Sequence, residues 1–404
     1  MKTFNSVFLP SDPKNRLCLF SFFVAVSLIC GAYFIGNAFI TKEYKEKFTR
    51  WGLIHPIENT KSSACKNQCR PSGSETLPEG IVAKESNLEM RPLWCSTMKN
   101  RILKSSKNLL AIAVGIKQKE IVNQIVGKFP LSDFIVMLFH YDGVVDGWKD
   151  FAWSDRAIHV SAKNQTKWWF AKRFLHPDIV AEYSYIFLWD EDIGVEHFDP
   201  KQYLSIVKEE GLEISQPALD AAKSEVHHPL TVRRRRSKVH RRFYKFKGSG
   251  RCDEHSTAPP CIGWVEMMAP VFSREAWQCI WYMIQNDLIH AWGLDMQLGY
   301  CARGDRMKNV GVIDSEYIVH LGLPTLGASH GSEFSNAPPS PQKQDKSNSE
   351  ASAPLDSQVV TDRSKVRMQS YIEMQIFKKR WNDAVKEDKC WIDPYQQHSN
   401  QTGH

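Results

Sequence analysis

Two aspartates one residue apart, Asp190 and Asp192, stand directly after the apolar run Ile186-Phe187-Leu188-Trp189. A short run of aromatic and branched residues reads as a strand covered on both faces. Ligands of open α/β sheets bind beyond the carboxyl ends of strands. Hard carboxylate oxygens at such a point suit Mg²⁺ or Mn²⁺ and, through the ion, a diphosphate. The alternative is an acidic turn that merely ends a strand. Glu191, between the two, points the other way along the strand and reads as structural.

Three more residues carry chemistry: Glu266 in the apolar stretch 263–272, Asp295 in Trp292-Gly293-Leu294-Asp295, and the late His320. Together with the acid pair they are the parts of a metal-dependent sugar transfer from a nucleotide sugar. The metal neutralises the leaving diphosphate between Asp190 and Asp192. Asp295 or Glu266 takes the proton of the acceptor hydroxyl. His320 completes the metal shell. Each also has a plain structural reading: a helix cap for Asp295, a satisfied strand-edge carboxylate for Glu266, a packed imidazole for His320. On the nucleotide side the candidates are Asp190, Asp142 after the second strand, and Arg233 and Arg235 in a basic stretch. The alternative for that stretch is a solvated loop.

The elements that must position these residues alternate. Strands are expected at 108–116, 133–140, 157–160, 183–189, 212–217, 263–272 and 309–314. Helices are expected at 119–129, at 167–181 with Pro177 as a kink or break, after an N-cap at Ser273, and briefly at 296–301. Strands alternating with helices imply a largely parallel sheet. The first strand lacks a G-x-G-x-x-G sequel, and G-x₄-G-K-[ST], G-x-S-x-G and H-E-x-x-H are absent. Dinucleotide oxidoreductases, P-loop ATPases, α/β-hydrolases and zincins are thereby disfavoured.

The chain has 404 residues, 42% hydrophobic and 24% charged, enough for one large or two modest domains. Its net charge of +7 is concentrated between Arg233 and Arg242, so it is not a nucleic-acid footprint and no nucleic acid is expected as partner. Leu17 to Ile40 is free of charge and would span about 36 Å as a helix, against a hydrocarbon core of about 30 Å. The expected order is a cytoplasmic tail (1–16), a membrane anchor (17–40), a stem (41–105), an α/β domain (106–327) with a basic loop (220–261), a disordered linker (328–360) and a C-terminal helical segment (361–404). Two glycosylation sequons, at Asn164 and Asn400, agree with a lumenal bulk. Of ten cysteines, Cys252 and Cys261 are the best candidates for a local bridge.

Longer motifs carry a resemblance. Phe139-His-Tyr-Asp-Gly143, Lys167-Trp-Trp-Phe-Ala-Lys-Arg-Phe-Leu-His-Pro177, Phe187-Leu-Trp-Asp-Glu-Asp192, Glu213-Ile-Ser-Gln-Pro-Ala-Leu-Asp220, Met268-Ala-Pro-Val-Phe-Ser273 and Trp292-Gly-Leu-Asp295 resemble a plant family labelled domain of unknown function 707. Its members are often named lysine-ketoglutarate reductase trans-splicing related proteins. The resemblance covers about residues 90–327. It implies a GT-A-like nucleotide-diphospho-sugar transferase fold, with a mixed, mostly parallel sheet flanked by helices behind a single-pass anchor. It also implies a Golgi or other endomembrane setting with the domain lumenal. Asp190 and Asp192 match the Asp-x-Asp of such folds, while Asp295 and His320 match by position. The implied cofactor is Mn²⁺ or Mg²⁺, and the implied partners are a nucleotide sugar, a glycan or glycoconjugate acceptor, and the membrane. The second reading of the same fold is a non-catalytic, membrane-anchored glycan-binding or scaffolding protein.

Overall fold

The structure is a computed structural model that describes residues 70–87, 107–245, 251–323 and 362–395, all within one unit, Gln68–His404. The expected tail, the anchor and the linker lie outside the described residues. Among the described residues no helix is long and apolar enough to cross a membrane.

The chain enters the sheet at β1 (Asn108–Val114), every residue of which is buried, and passes through helix α1 (Lys119–Lys128) to β2 (Phe134–His140) and β3 (Ile158–Ser161). Helix α2 (Lys167–Phe174) leads to β4 (Tyr185–Trp189) and the short β5 (Ile193–Gly194). Helix α3 (Pro200–Glu209), capped by Asp199 with Pro200 at its first turn, precedes β6 (Ile214–Leu219) and β7 (Val239–His240). Then come β8 (Val271–Ser273), α4 (Arg274–Met283), α5 (Asp295–Leu298), α6 (Arg306–Asn309), β9 (Val310–His320) and the long α7 (Asp362–Glu387).

Among the described residues nine strands form the sheet in the order β3-β2-β1-β4-β8-β6-β9-β5, with β7 also on β9. Strands β3, β2, β1 and β4 run parallel, and so do β6 and β9; β8, β5 and β7 pair antiparallel. The sheet is therefore mixed. Connections leave β1 in one direction toward β2 and return on its other side at β4. That reversal makes the carboxyl ends of β1 and β4 the switch point where such sheets bind ligands.

Alternation along β1 divides the core. Leu109, Ala111 and Ala113 face α2, α4 and α7; Leu110, Ile112 and Val114 face α1 and α3. On the first face Trp277 and Trp281 are fully buried, and their indole N–H groups donate to Leu175 O and Lys172 O at 2.8 and 2.9 Å. Trimming either to alanine costs about 3–5 kcal/mol on the usual scale.

Four elements depart from the sequence expectations. Helix α2 stops at Phe174, before Pro177, whose ring cannot continue it. The run 263–272 is strand only at Val271–Ser273: Pro270 has no N–H to give a ladder, Met267 O goes to the Lys167 ammonium, and Met268 O is shared between that ammonium and Asp190 N–H just beyond β4. The described parts of the basic loop, 220–245 and 251–261, fold onto the domain: β7 pairs with β9, and the disulfide Cys252–Cys261 closes the end. Residues 70–87, read as stem, pack on the domain with Leu77 and Ile81 buried, and Arg70 pairs with Asp388 just beyond α7.

Candidate functional site

Backbone pairing places the acids. Asp190 N–H donates to Met268 O at 2.9 Å as the chain leaves β4, and Leu321 N–H donates to Asp192 O at 3.0 Å. Ile193 lies opposite His320 across the antiparallel β5–β9 pair. His320 Nε2 thus comes to 3.4 Å from Asp192 Oδ2, which also accepts from Leu323 N–H at 3.1 Å. His320 Nδ1–H donates to Glu225 O at 2.8 Å, which orients the ring with Nε2 toward the aspartate. Burial lowers the pKa of this imidazole, but the hydrogen bond and charge of Asp192 outweigh it and hold the value up at about 9.

Asp190 faces a second cation. Lys167, buried at the first turn of α2, places Nζ 2.7 Å from Asp190 Oδ1 and also donates to Met267 O and Met268 O at 2.7 and 3.0 Å. All three of its protons are used. Asp190 Oδ2 and Asp192 Oδ1 keep no protein partner among the described residues, and the Asp190 side chain remains 39% exposed. Burial raises the Asp190 pKa and the charge of Lys167 opposes it. Glu191 turns away, as its place on the strand implies. Its carboxyl takes Gly115 N–H at 2.6 Å and the Tyr141 hydroxyl, joining the ends of β1, β2 and β4, and burial pushes it up to about 8.

Glu266 and Asp295 share this electrostatic neighbourhood. Glu266 is buried and accepts from the Thr231 hydroxyl at 3.1 Å, while its own N–H donates to Gln216 Oε1. Burial pushes its carboxyl up to about 7; the Asp295 and Asp190 charges add to this, and Thr231 and His320 oppose it. Asp295 is the first residue of α5. Burial pushes it up to about 6 against the local amides of Met296 and Asp295 and the Trp264 indole. Trp264 Nε1 is buried and makes no hydrogen bond of normal geometry, so its approach to Asp295 is a loose one.

The nucleotide-side candidates fare differently. Asp142 spends both oxygens on backbone, accepting Ile116 N–H at 2.7 Å and Val144 N–H at 2.9 Å, and so shapes the loops after β1 and β2. Arg233 donates from Nε to Asp314 O at 2.9 Å, and its guanidinium lies 3.7 Å over the Tyr317 ring. Both are committed to the fold rather than presented to a ligand, Asp142 by those two amides and Arg233 because the basic loop is drawn onto β9. Arg235 is exposed, with no partner among the described residues.

Lys167, Thr231 and Trp264 were missed from sequence. Lys167 carried a signal: a lysine in the first turn of a helix, just after the cap Thr166, opposes the helix dipole unless a carboxylate faces it. Among the described residues no three His, Cys, Asp or Glu side chains form a group that could hold a metal ion. What the protein offers an ion is the two open carboxylate oxygens and, once deprotonated, the Nε2 of His320. These are hard oxygen and imidazole donors suited to Mn²⁺ or Mg²⁺, which complete their shells with phosphate oxygens and water.

No curated protein matches the chain. Among solved structures, S. aureus TarS (residues 1–349) matches with 9% identity and a TM-score of 0.33, over 52% of this chain and 59% of that one. The same protein in complex with UDP matches with 8% identity and a TM-score of 0.34 over the same shares. The mannosyltransferase Ktr4p from S. cerevisiae matches with 10% identity and a TM-score of 0.22, over 42% of this chain and 53% of that one. The chain thus spans little more than half the length of these structures. The family described as "Protein of unknown function (DUF707)" matches residues 68–387, a span that runs beyond the core motifs to take in the turn around Leu77 and the helix α7 packed beside it, and the chain belongs to that family.

Proposed function

We propose that the chain is a glycosyltransferase with a GT-A-like domain, moving a sugar from a nucleotide-sugar donor to a glycan acceptor in the secretory pathway. The observation that carries this reading is the meeting, at the switch point of the sheet, of Asp190 and Asp192 with the buried Glu266 and the half-buried Asp295, whose pKa values are raised to about 7 and 6. Asp190 and Asp192 would hold Mn²⁺ or Mg²⁺ with His320. A bound ion there would supply charge neutralisation for the leaving diphosphate.

Asp295, ionised at neutral pH, accepts the proton of the acceptor hydroxyl as its oxygen attacks the anomeric carbon. As that bond forms, the bond from the anomeric carbon to the diphosphate oxygen breaks and the nucleoside diphosphate leaves with its electrons. Glu266, near half-protonated at the same pH, stays a positioning group between Thr231 and the acids. Lys167 fixes the rotamer of Asp190. Arg235 is left as the candidate contact to phosphate or an acidic glycan. The disulfides Cys252–Cys261 and Cys279–Cys301 support an oxidising compartment, in keeping with a type II anchor at 17–40 and a Golgi lumenal domain.

The test is nucleotide release from a panel of nucleotide sugars, with and without Mn²⁺, by the wild type and by Asp192→Ala. Turnover that needs Mn²⁺ and vanishes in the variant supports the reading; an unchanged rate in the variant sinks it. One observation favours the second reading, a non-catalytic glycan-binding protein: the Lys167 ammonium already neutralises Asp190. On that reading Mn²⁺ with nucleotide produces no rise in melting temperature.

A further inference from the structure

The loop that presents Asp295 holds a tryptophan outside the protein. Trp292 is 40% exposed, although the core beneath it is built from tryptophans packed to completion. Single exposed apolar residues are ordinary and need no explanation. What sets this one apart is how it is held. Ala291 before it has φ 56° and Gly293 after it φ 89°, two left-handed residues flanking one indole. Glycine takes that conformation freely; alanine, with a Cβ and no side-chain hydrogen bond to compensate, does not.

Both sides of the strained turn are braced. His290 donates its N–H to Glu373 Oε2 at 2.8 Å, and its Nδ1 lies 2.9 Å from Glu373 Oε1, on α7. Leu294 is buried on the other side. The loop is also tied to the acid site: Ile289 O accepts the hydroxyl of Thr166, the residue next to Lys167, which holds Asp190. The backbone thus holds strain that keeps an aromatic ring in solvent at a fixed position, three residues before the half-buried Asp295 carboxyl. Strain that the surroundings over-determine clusters at ligand sites.

We infer that Trp292 is the platform on which a pyranose ring of the acceptor stacks, with one ring hydroxyl directed to Asp295. A pyranose carries its C–H bonds on a face and its hydroxyls on the rim. The negative face of an indole attracts polarised C–H bonds, while rim hydroxyls reach polar groups at its edge. The ligand class is a pyranose glycan, and the subsite deepens the transferase reading on which it rests.

The experiment uses the full chain purified in detergent, as wild type, Trp292→Phe and Trp292→Ala. Each is applied, with UDP and Mn²⁺ present, to an immobilised array of pyranose oligosaccharides. The wild type and Trp292→Phe retain a common set of glycans, and Trp292→Ala loses that retention at least ten-fold at an unchanged melting temperature. Equal retention by Trp292→Ala, or no retention by the wild type, overturns the platform. Nucleotide-dependent thermal shift of the wild type reads the donor side separately. Its absence with Trp292-dependent glycan retention intact would overturn the transferase reading and leave the platform standing.

Discussion

Lys167 Nζ sits 2.7 Å from Asp190 Oδ1 and gives its other two protons to the carbonyls of Met267 and Met268. One ammonium therefore joins the end of β4 to the loop that carries Glu266. Lys167→Met removes the charge and three hydrogen bonds while keeping the apolar stem. Breaking a fully buried pair costs about 3–5 kcal/mol, and the partial exposure of Asp190 reduces this to about 2–3 kcal/mol. Lys167→Arg should recover little, since a planar fork cannot replace a tetrahedral donor aimed at three acceptors. Urea unfolding of the three proteins checks both points; an arginine variant as stable as the wild type would show that charge alone matters.

Glu266 sets a pH dependence. Its carboxyl is held up at about 7, mainly by burial, against 4.5 when unperturbed. The native state keeps a proton that the unfolded chain releases, so this group's contribution is largest below about pH 4.5 and falls as pH rises through 7. The span corresponds to a change on the order of 3 kcal/mol. Glu266→Gln keeps an acceptor for the Thr231 hydroxyl and cannot ionise. Its stability relative to the wild type should therefore be greater at pH 8 than at pH 5. Denaturation midpoints at the two pH values decide, and an equal difference at both would mean that Glu266 does not titrate in this window.

How far these relationships could be read in advance depends on their range along the chain. The strands around Leu110, Leu138 and Leu188 and the helix capped by Ser273 are local patterns of apolar spacing and capping, and they formed where expected. The Cys252–Cys261 bridge is local too; Cys279–Cys301, spanning 22 residues, has no such signature. Periodicity reports burial, not pairing, which is why 263–270 is buried yet mostly not strand. The basic stretch read either as an arm contacting phosphate or as a solvated loop, and not as part of the sheet, because its organiser is distant. Asp314, buried in β9, gathers Arg234 N–H, the Ser237 hydroxyl and His240 Nδ1. The Asp-x-Asp was visible as a motif, while the lysine that neutralises half of it was visible only as an oddly placed charge.

Gly299 closes the floor under α5. A Cβ there would overlap the Gly263 carbonyl oxygen and the Tyr395 hydroxyl. Gly263, at φ 70°, cannot easily shift its carbonyl away. Gly299→Ala should cost at least about 3 kcal/mol and depress soluble yield. Gly127 in α1 is the contrast: nothing lies within 4 Å of an added Cβ, so Gly127→Ala should stabilise by about 0.5–1 kcal/mol. Thermal midpoints of the pair measure the difference, and similar values would show that the turn at Gly263 yields.

Glu373 connects the C-terminal helix to the site. It is buried on α7 and accepts both the N–H and the Nδ1 contact of His290, five residues before Asp295. Glu373→Ala leaves the His290 donors facing a dry gap, at a cost of about 2–3 kcal/mol. Glu373→Gln retains one acceptor oxygen and should lose about 1 kcal/mol. Because His290 anchors the strained turn that ends at Asp295, the alanine variant should, on the proposed transferase reading, also lower transfer more than it lowers nucleotide-induced thermal stabilisation. Measuring stability, transfer and nucleotide binding on the same two variants separates the cases. A Glu373→Ala protein with wild-type stability and transfer would mean that α7 covers the core without holding the loop in place.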